Sequence, residues 1–265
     1  MKQFIAALAA TSLIGIGAAS AADMPVKAAP MAPPPGISWS GFYIGTHQGW
    51  GFSRAEWTSD FNCAVGVLCD SVNKDIDGWV SGVQFGGRWQ FNYVVLGIEA
   101  TLAATDIKGT QSGLLCTPAA GICPAFPAGT TDKTRITDQA TVVGQLGFAW
   151  DRSLFYAKGG WATGDVTRNI SGTAGGITIT TKDLNQRASG GWTAGVGWEF
   201  QWTKNVTFGI EYDFLRLPVG ALTTNAIVQG TGATAFPTTQ SAMNLDVHEI
   251  VFRANYIFDW GWWHF

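Results

Sequence analysis

The sequence predicts an all-β chain: an eight-stranded antiparallel up-and-down transmembrane β-barrel. Three observations carry that prediction. Eight stretches alternate in hydropathy with a period of two, which is the period of a strand. The connections between them alternate strictly between short and long. Each stretch sets large apolar and aromatic residues on one face against Gly, small polar residues and scattered charges on the other, which suits lipid outside and a crowded lumen inside.

Two segments precede the first strand. The chain opens MKQFIAALAATSLIGIGAASAAD. Lys2, an apolar run from Phe4 to about Ala19 and the small residues after it read as a secretory signal peptide over residues 1–22, with cleavage after Ala21 or Ala22. The apolar run is too short for an ordinary membrane-spanning helix. Residues 23–38, DMPVKAAPMAPPPGIS, are rich in Pro and Ala and unfit for a central strand, so they read as an extended periplasmic tether. The barrel is assigned to residues 39–265.

The first strand, about 39–52, is WSGFYIGTHQGWGF. Alternate residues divide it into Phe42, Ile44, Trp50 and Phe52 on one face and Gly41, Tyr43, Gly45, His47, Gly49 and Gly51 on the other. Gly is poor strand material in water. It becomes suitable when its face meets a lumen too narrow for bulk. The second strand is GWVSGVQFGGRWQ, about 78–90, and the third YVVLGIEATLAA, about 93–104. The fourth, about 139–150, contains ATVVGQLGFAW, and the fifth is LFYAKGGWATGDV, about 154–166. The sixth is SGGWTAGVGWEFQW, about 189–202, the seventh VTFGIEYDFLRL, about 206–217, and the eighth DVHEIVFRANYIF, about 246–258. Tight turns fall at Phe91-Asn92, Asp151-Arg152-Ser153 and Thr203-Lys204-Asn205, and the other four connections run to about 20 to 35 residues. All tight turns therefore lie at one end and all long loops at the other, the layout of short periplasmic turns and long extracellular loops.

A soluble eight-stranded barrel also alternates, with its apolar face inward. Its other face would carry many Lys and Glu, whereas the sixth segment offers Gly191, Thr193, Gly195, Gly197, Glu199 and Gln201. The opposite face of that segment, Trp192, Ala194, Val196, Trp198, Phe200 and Trp202, would overfill a narrow interior. Trp89, Trp150 and Trp202 each end a strand just before a tight turn, as an aromatic girdle at one membrane interface requires.

Composition agrees. Charged residues make up 13% of the chain, against about 25% in ordinary soluble domains. Loss of Lys2 with the signal would take the formal net charge from −3 to −4, and no basic patch suggests a nucleic-acid partner. Cys63, Cys69, Cys116 and Cys123 are disulfide candidates in the long loops of an exported chain, the local pairs closing the shortest rings. Their C-x5-C and C-x6-C spacings lack the tight knuckles of structural zinc, so no metal site is expected.

Eight charges face inward by alternation: Arg88, Glu99, Lys158, Glu199, Glu211, Asp213, Glu249 and Arg253. Matching heights along neighbouring strands pairs Lys158 with Glu199, Glu211 with Arg253 and Arg88 with Glu99, with Gln145 facing Asp213 and Glu249 across the lumen. Charges removed from water need such partners. With eight strands the interior is just wide enough for side chains, so a plugged polar lumen is expected, and a small-solute diffusion channel is the alternative. The three histidines, His47, His248 and His264, assemble no nucleophile, base and acid set, so neither catalytic residues nor a cofactor are expected.

WSGFYIGTHQGWGF, FGGRWQFNYVVLGIEA, GQLGFAWDRSLFYAKGGWATGDV, GWTAGVGWEF, VTFGIEYDF and VFRANYIF, in this order and spacing, resemble the small outer-membrane β-barrel proteins of alphaproteobacteria. These include the outer-membrane immunogenic surface antigens, relatives of opacity-type adhesin barrels. The resemblance covers about Trp39 to Phe258. It implies residence in the bacterial outer membrane, a porin-family label and antigenic surface loops, with no catalytic residues to carry over. The partners it implies are outer-membrane lipid and lipopolysaccharide, the barrel-assembly machinery, and extracellular host or surface ligands through the loops. The loop cysteine pairs and the run from Asp259 to Phe265 depart from its pattern.

Overall fold

The computed structural model describes residues 38–58, 71–112, 131–174, 177–180, 184–220, 222–229, 234–240 and 243–258. The signal peptide, the tether, all four cysteines and the stretch after Phe258 lie outside the described residues. Eleven strands are present among those described: β1 (Gly41–Thr58), β2 (Ser71–Phe91), β3 (Val94–Ser112), β4 (Thr131–Trp150), β5 (Ser153–Ala174), β6 (Ile177–Thr180), β7 (Leu184–Gln201), β8 (Val206–Val219), β9 (Leu222–Gln229), β10 (Thr234–Gln240) and β11 (Met243–Phe258). Eight of them close an antiparallel barrel in the order β1-β2-β3-β4-β5-β7-β8-β11, with β11 pairing back onto β1 from Phe42↔Phe258 to Ser53↔Val247. The three short strands continue the sheet at the loop end, β6 joining β5 to β9 and β9 carrying β10.

Alternation sorts the side chains as the two faces demand. Phe42, Ile44, Trp50 and Phe52 of β1, Phe85 and Trp89 of β2, Leu146 and Phe148 of β4, and Trp192, Val196 and Trp198 of β7 are exposed on the outer wall. Tyr43, Gln84, Arg88, Gln145, Lys158, Thr193 and Glu199 are buried inside. Tight turns carry the left-handed residues they need: Asn92 at φ 57° and Asp151 at φ 52°, residue types that tolerate that region.

Between Ala162 and Gly164 of β5, two residues of β7, Ser189 and Gly190, stand opposite the single Thr163. Gly190, at φ +88°, supplies the left-handed step of this bulge. Elsewhere glycine makes room. A Cβ on Gly86 would lie 2.6 Å from the Ile98 carbonyl oxygen and 2.6 Å from the Tyr43 hydroxyl.

The strands run further toward the loops than the alternation in the sequence suggests: β1 reaches Thr58 rather than about residue 52, and β3 reaches Ser112 rather than about residue 104. Their extensions keep the period of two but exchange the two faces. Ala55, Ile76, Ile107, Ile136, Val166, Ala188, Leu217 and Val247 now point inward as one apolar layer. At the turn end a second apolar layer forms from Trp39, Tyr43, Val95, Ala149, Leu154, Tyr156 and Ile257. The lumen is therefore layered, and the eight charges expected from the sequence lie between two apolar layers.

Close packing against the glycines makes a direct test. Gly86→Val should lower the urea midpoint of the folded barrel by the equivalent of ~1–3 kcal/mol, the cost of overpacking. Gly144→Val, whose Cβ would face outward with no atom within 4 Å, should leave it unchanged. Heat-modifiable gel mobility reads the folded fraction of both.

Candidate functional site: the charged lumen

The middle of the lumen holds the eight inward charges. Arg88 reaches across from β2 to clasp Glu199 of β7 with two parallel bonds, Nη1 to Oε2 at 2.8 Å and Nη2 to Oε1 at 2.7 Å. Its Nε donates to Gln145 Oε1 at 3.2 Å, and its guanidinium lies 4.4 Å from the centre of the Tyr43 ring. Glu199 also accepts from Thr207 Oγ1 at 3.1 Å and Asn255 Nδ2 at 3.2 Å. A charge-assisted bidentate pair with its remaining lone pairs satisfied is the form in which a buried carboxylate is best tolerated.

Arg253 of β11 bridges two carboxylates, bonding Glu99 through Nη2 and Glu211 through Nη1. Two phenols reinforce the same carboxylates: Tyr43 donates to Glu99 at 2.7 Å and Tyr156 to Glu211 at 2.6 Å. Lys158 of β5 sits 2.8 Å from Glu211 Oε1 and 3.0 Å from Asp213 Oδ1. His47 Nδ1 contacts Gln84 Oε1 at 2.7 Å, and Gln84 passes the chain on to Asn255 at 2.7 Å.

The structure brings Glu211 and Arg253 together as their heights along adjacent strands suggest. It corrects two other pairings. Arg88 pairs with Glu199 and not with Glu99, and Lys158 pairs with Glu211 and Asp213 and not with Glu199. Height along neighbouring strands misses these because the lumen is narrow enough for a long side chain to cross it. Gln145 meets Arg88 instead of Asp213 or Glu249. Glu249 is buried with no ion pair among the described residues, and its Oε1 has no hydrogen-bond partner. Three cations thus face five carboxylates. The void beside them, lined by His47, Thr141, Asp213 and Glu249 among others, measures about 20 Å3, room for a single water.

Two further charged groups lie nearer the loops. Inside, Asp132 is held by Lys74 at 3.0 Å and by Arg168 at 2.5 Å, all three buried. Burial pushes the Lys74 ammonium below its ordinary range, and Asp132 beside it opposes that shift. Outside, every barrel strand contributes to a ring of cross-strand ion pairs: Arg54–Asp75 at 3.0 Å, Arg135–Asp106 at 2.9 Å, Arg187–Asp165 at 3.7 Å and Arg216–Asp246 at 2.6 Å. Lys108, then burial and Arg135, act on Asp106, and the net effect holds its carboxyl below the usual range. Hydrogen bonding to Asp75 and to Asp246 raises Arg54 and Arg216.

Each ring residue precedes or follows an inward aliphatic residue, as in Arg54-Ala55, Asp75-Ile76, Asp106-Ile107, Arg135-Ile136, Asp165-Val166, Arg187-Ala188, Arg216-Leu217 and Asp246-Val247. That dipeptide, repeated once per strand, is the signal in the sequence that would have found the ring. At the other end Trp89, Trp150 and Trp202 are exposed beside the tight turns. Between these two boundaries the outer wall is mostly apolar.

The model of the outer membrane protein beta-barrel domain matches residues 7–258. The chain is 32% identical over 224 residues to the 31 kDa outer-membrane immunogenic protein of Brucella melitensis, covering 80% of this chain and 84% of that one. It is 23% identical over 211 residues to the 25 kDa outer-membrane immunogenic protein of Brucella ovis, covering 80% and 86% respectively. Among solved structures, Neisserial surface protein A aligns over 83% of this chain and 98% of its own at 12% identity, with a TM-score of 0.37.

Removing one member of the network should expose what it compensates. Arg253→Ala strands Glu99 and Glu211 without their guanidinium and should cost ~3–5 kcal/mol in urea unfolding from lipid vesicles. Arg54→Ala on the exposed ring should barely move the same midpoint. Replacing both members of the clasp, Arg88→Met with Glu199→Leu, should destabilise less than Arg88→Met alone, since the double change leaves no orphaned carboxylate.

Proposed function

The chain belongs to the outer membrane protein β-barrel family and resides in the bacterial outer membrane, and from that premise we propose that it is a structural and surface-interaction barrel whose lumen passes no solute. The observation that carries this reading is the Arg88–Glu199 clasp, which spans the lumen between two apolar layers. A hydrated ion would have to break buried, bidentate bonds to pass. The void beside these charges, about 20 Å3, has room for one water and none for a solute.

The long loops then carry the interactions. The four cysteines belong to them, and disulfides there would clip segments that meet the cell's surroundings. The reading is non-enzymatic. His47 is turned into the lumen toward Gln84, while His248 sits on the outer wall against the Tyr212 hydroxyl at 2.7 Å. The wall of the barrel separates them, so they cannot serve one reaction.

Purified protein in planar bilayers tests the plug. The expected trace shows no steady openings at any voltage the bilayer withstands. Stable, ohmic conductance steps that scale with salt would overturn the reading in favour of a small-solute channel.

A further inference from the structure

The outer wall between the ring and the turn-end tryptophans is hydrocarbon-facing, and one amide well below the ring stands on it without a partner among the described residues. Gln48 of β1 is exposed on the outward face, with Trp50 and Phe52 on its loop side and Phe42 and Ile44 on its turn side. It lies six residues from Arg54 of the ring. At ~3.4 Å per residue and a tilt of about 40°, that places it ~15 Å below the ring. An outer-membrane barrel's apolar band is about 25 Å tall, so the Gln48 carboxamide sits near its middle.

Among the described residues, the Gln48 side chain makes no hydrogen bond, and it is the one carboxamide on that outward band, where the charged Asp77 stands next to the ring and is bonded by Trp50. Its polar neighbours are committed elsewhere. Thr46 Oγ1 donates to the Gly82 carbonyl at 2.9 Å, and Trp50 Nε1 to Asp77 at 3.2 Å. The surface toward β2 and β3 is also low. Ser81 lies directly opposite on β2, Ala104 opposite Ser81 on β3, and Ala254 opposite Thr46 on β11. Phe252 stands directly opposite Gln48 on β11, and Trp50, Trp79 and Phe85 border the low area, all exposed.

An acyl chain cannot satisfy an amide, and a water-soluble partner does not reach this depth. We propose that the outward face of β1 and β2 around Gln48 is a self-association surface that takes a second copy of this chain within the bilayer. A primary amide is both donor and acceptor. Two copies related by a twofold axis through this patch bring Gln48 against Gln48, and each amide donates to the other's oxygen. Thr46, Ser81 and Ala254 let the walls approach, as small residues do wherever membrane segments pack. The surrounding Trp50, Trp79 and Phe252 close the rim against lipid.

The test uses the full chain, fluorescently labelled and reconstituted into dimyristoylphosphatidylcholine vesicles over a range of protein-to-lipid ratios, with copy number read by single-molecule photobleaching. Wild type should show a two-copy species that grows with protein density. Gln48→Leu should weaken association about tenfold, the worth of two intramembrane hydrogen bonds, while heat-modifiable mobility shows a folded barrel. Ser81→Phe, which keeps the amide but blocks close approach, should disperse the pair as well. Leu146→Phe on the outer face of β4 should leave it intact. Single copies of wild type at every density, or an unchanged two-copy fraction in both Gln48→Leu and Ser81→Phe, would overturn the proposal.

Discussion

The narrowness of an eight-stranded barrel is the constraint from which the rest of this structure follows. Facing walls stand so close that Arg88 on β2 can grip Glu199 on β7 directly. The same closeness forbids bulk at every inward position at once. Glycine therefore alternates with the long side chains: Gly86 leaves space for the Tyr43 phenol, Gly82 for His47, and Gly195 for Lys158 and Asp213. The strand-weakening residue of water-soluble sheets becomes, on this face, the condition for packing arginines and tyrosines into one layer.

Burial then raises the stakes of each charge. A carboxylate deprived of water is tolerable when several donors converge on it. Glu199 receives Arg88, Thr207 and Asn255; Glu211 receives Arg253, Lys158 and Tyr156. The phenols are important because they add donors without adding charge. Even so, five carboxylates outnumber three cations, and the imbalance falls where Glu249 stands apart from the network. The aliphatic layer above and the mixed aromatic and aliphatic layer below keep bulk water from relieving it.

Much of this was legible in the sequence, and the reasons for the rest are specific. The period of two placed Tyr43, Glu99, Lys158 and Arg253 on one side of the wall and Trp50, Phe85 and Trp198 on the other, because side-chain direction in a strand is local geometry. Partner choice is not local. Matching heights on adjacent strands works for Glu211 and Arg253, whose strands β8 and β11 are paired, and fails for Arg88, whose partner lies across the lumen. Lys74, Asp132 and Arg168 are illegible in the sequence for another reason. They fall in stretches where the apolar outer face has ended, so the segments read as loop.

Those stretches also show why the choice between a membrane barrel and a soluble barrel depends on height. Within the bilayer β2 reads Trp79, Val83 and Phe85 outward against Gln84 and Arg88 inward. A few residues toward the loops it reads Asp75 outward against Ile76 inward, and the other seven strands make the same exchange at the same level. The solvent outside changes from hydrocarbon to water at that level, and the face that must be apolar changes with it. A single continuous strand can satisfy both media because its two faces are chemically independent. The ring of Arg54, Asp75, Asp106, Arg135, Asp165, Arg187, Arg216 and Asp246 therefore marks the membrane boundary from the outside, and the aliphatic layer of Ile76, Ile107, Ile136 and Leu217 marks it from within. Beneath that boundary an unpaired amide on the outer wall is as anomalous as an unpaired carboxylate in the lumen. Gln48 and the Oε1 of Glu249 are thus the same kind of clue, each a polar atom without a hydrogen-bond partner among the described residues.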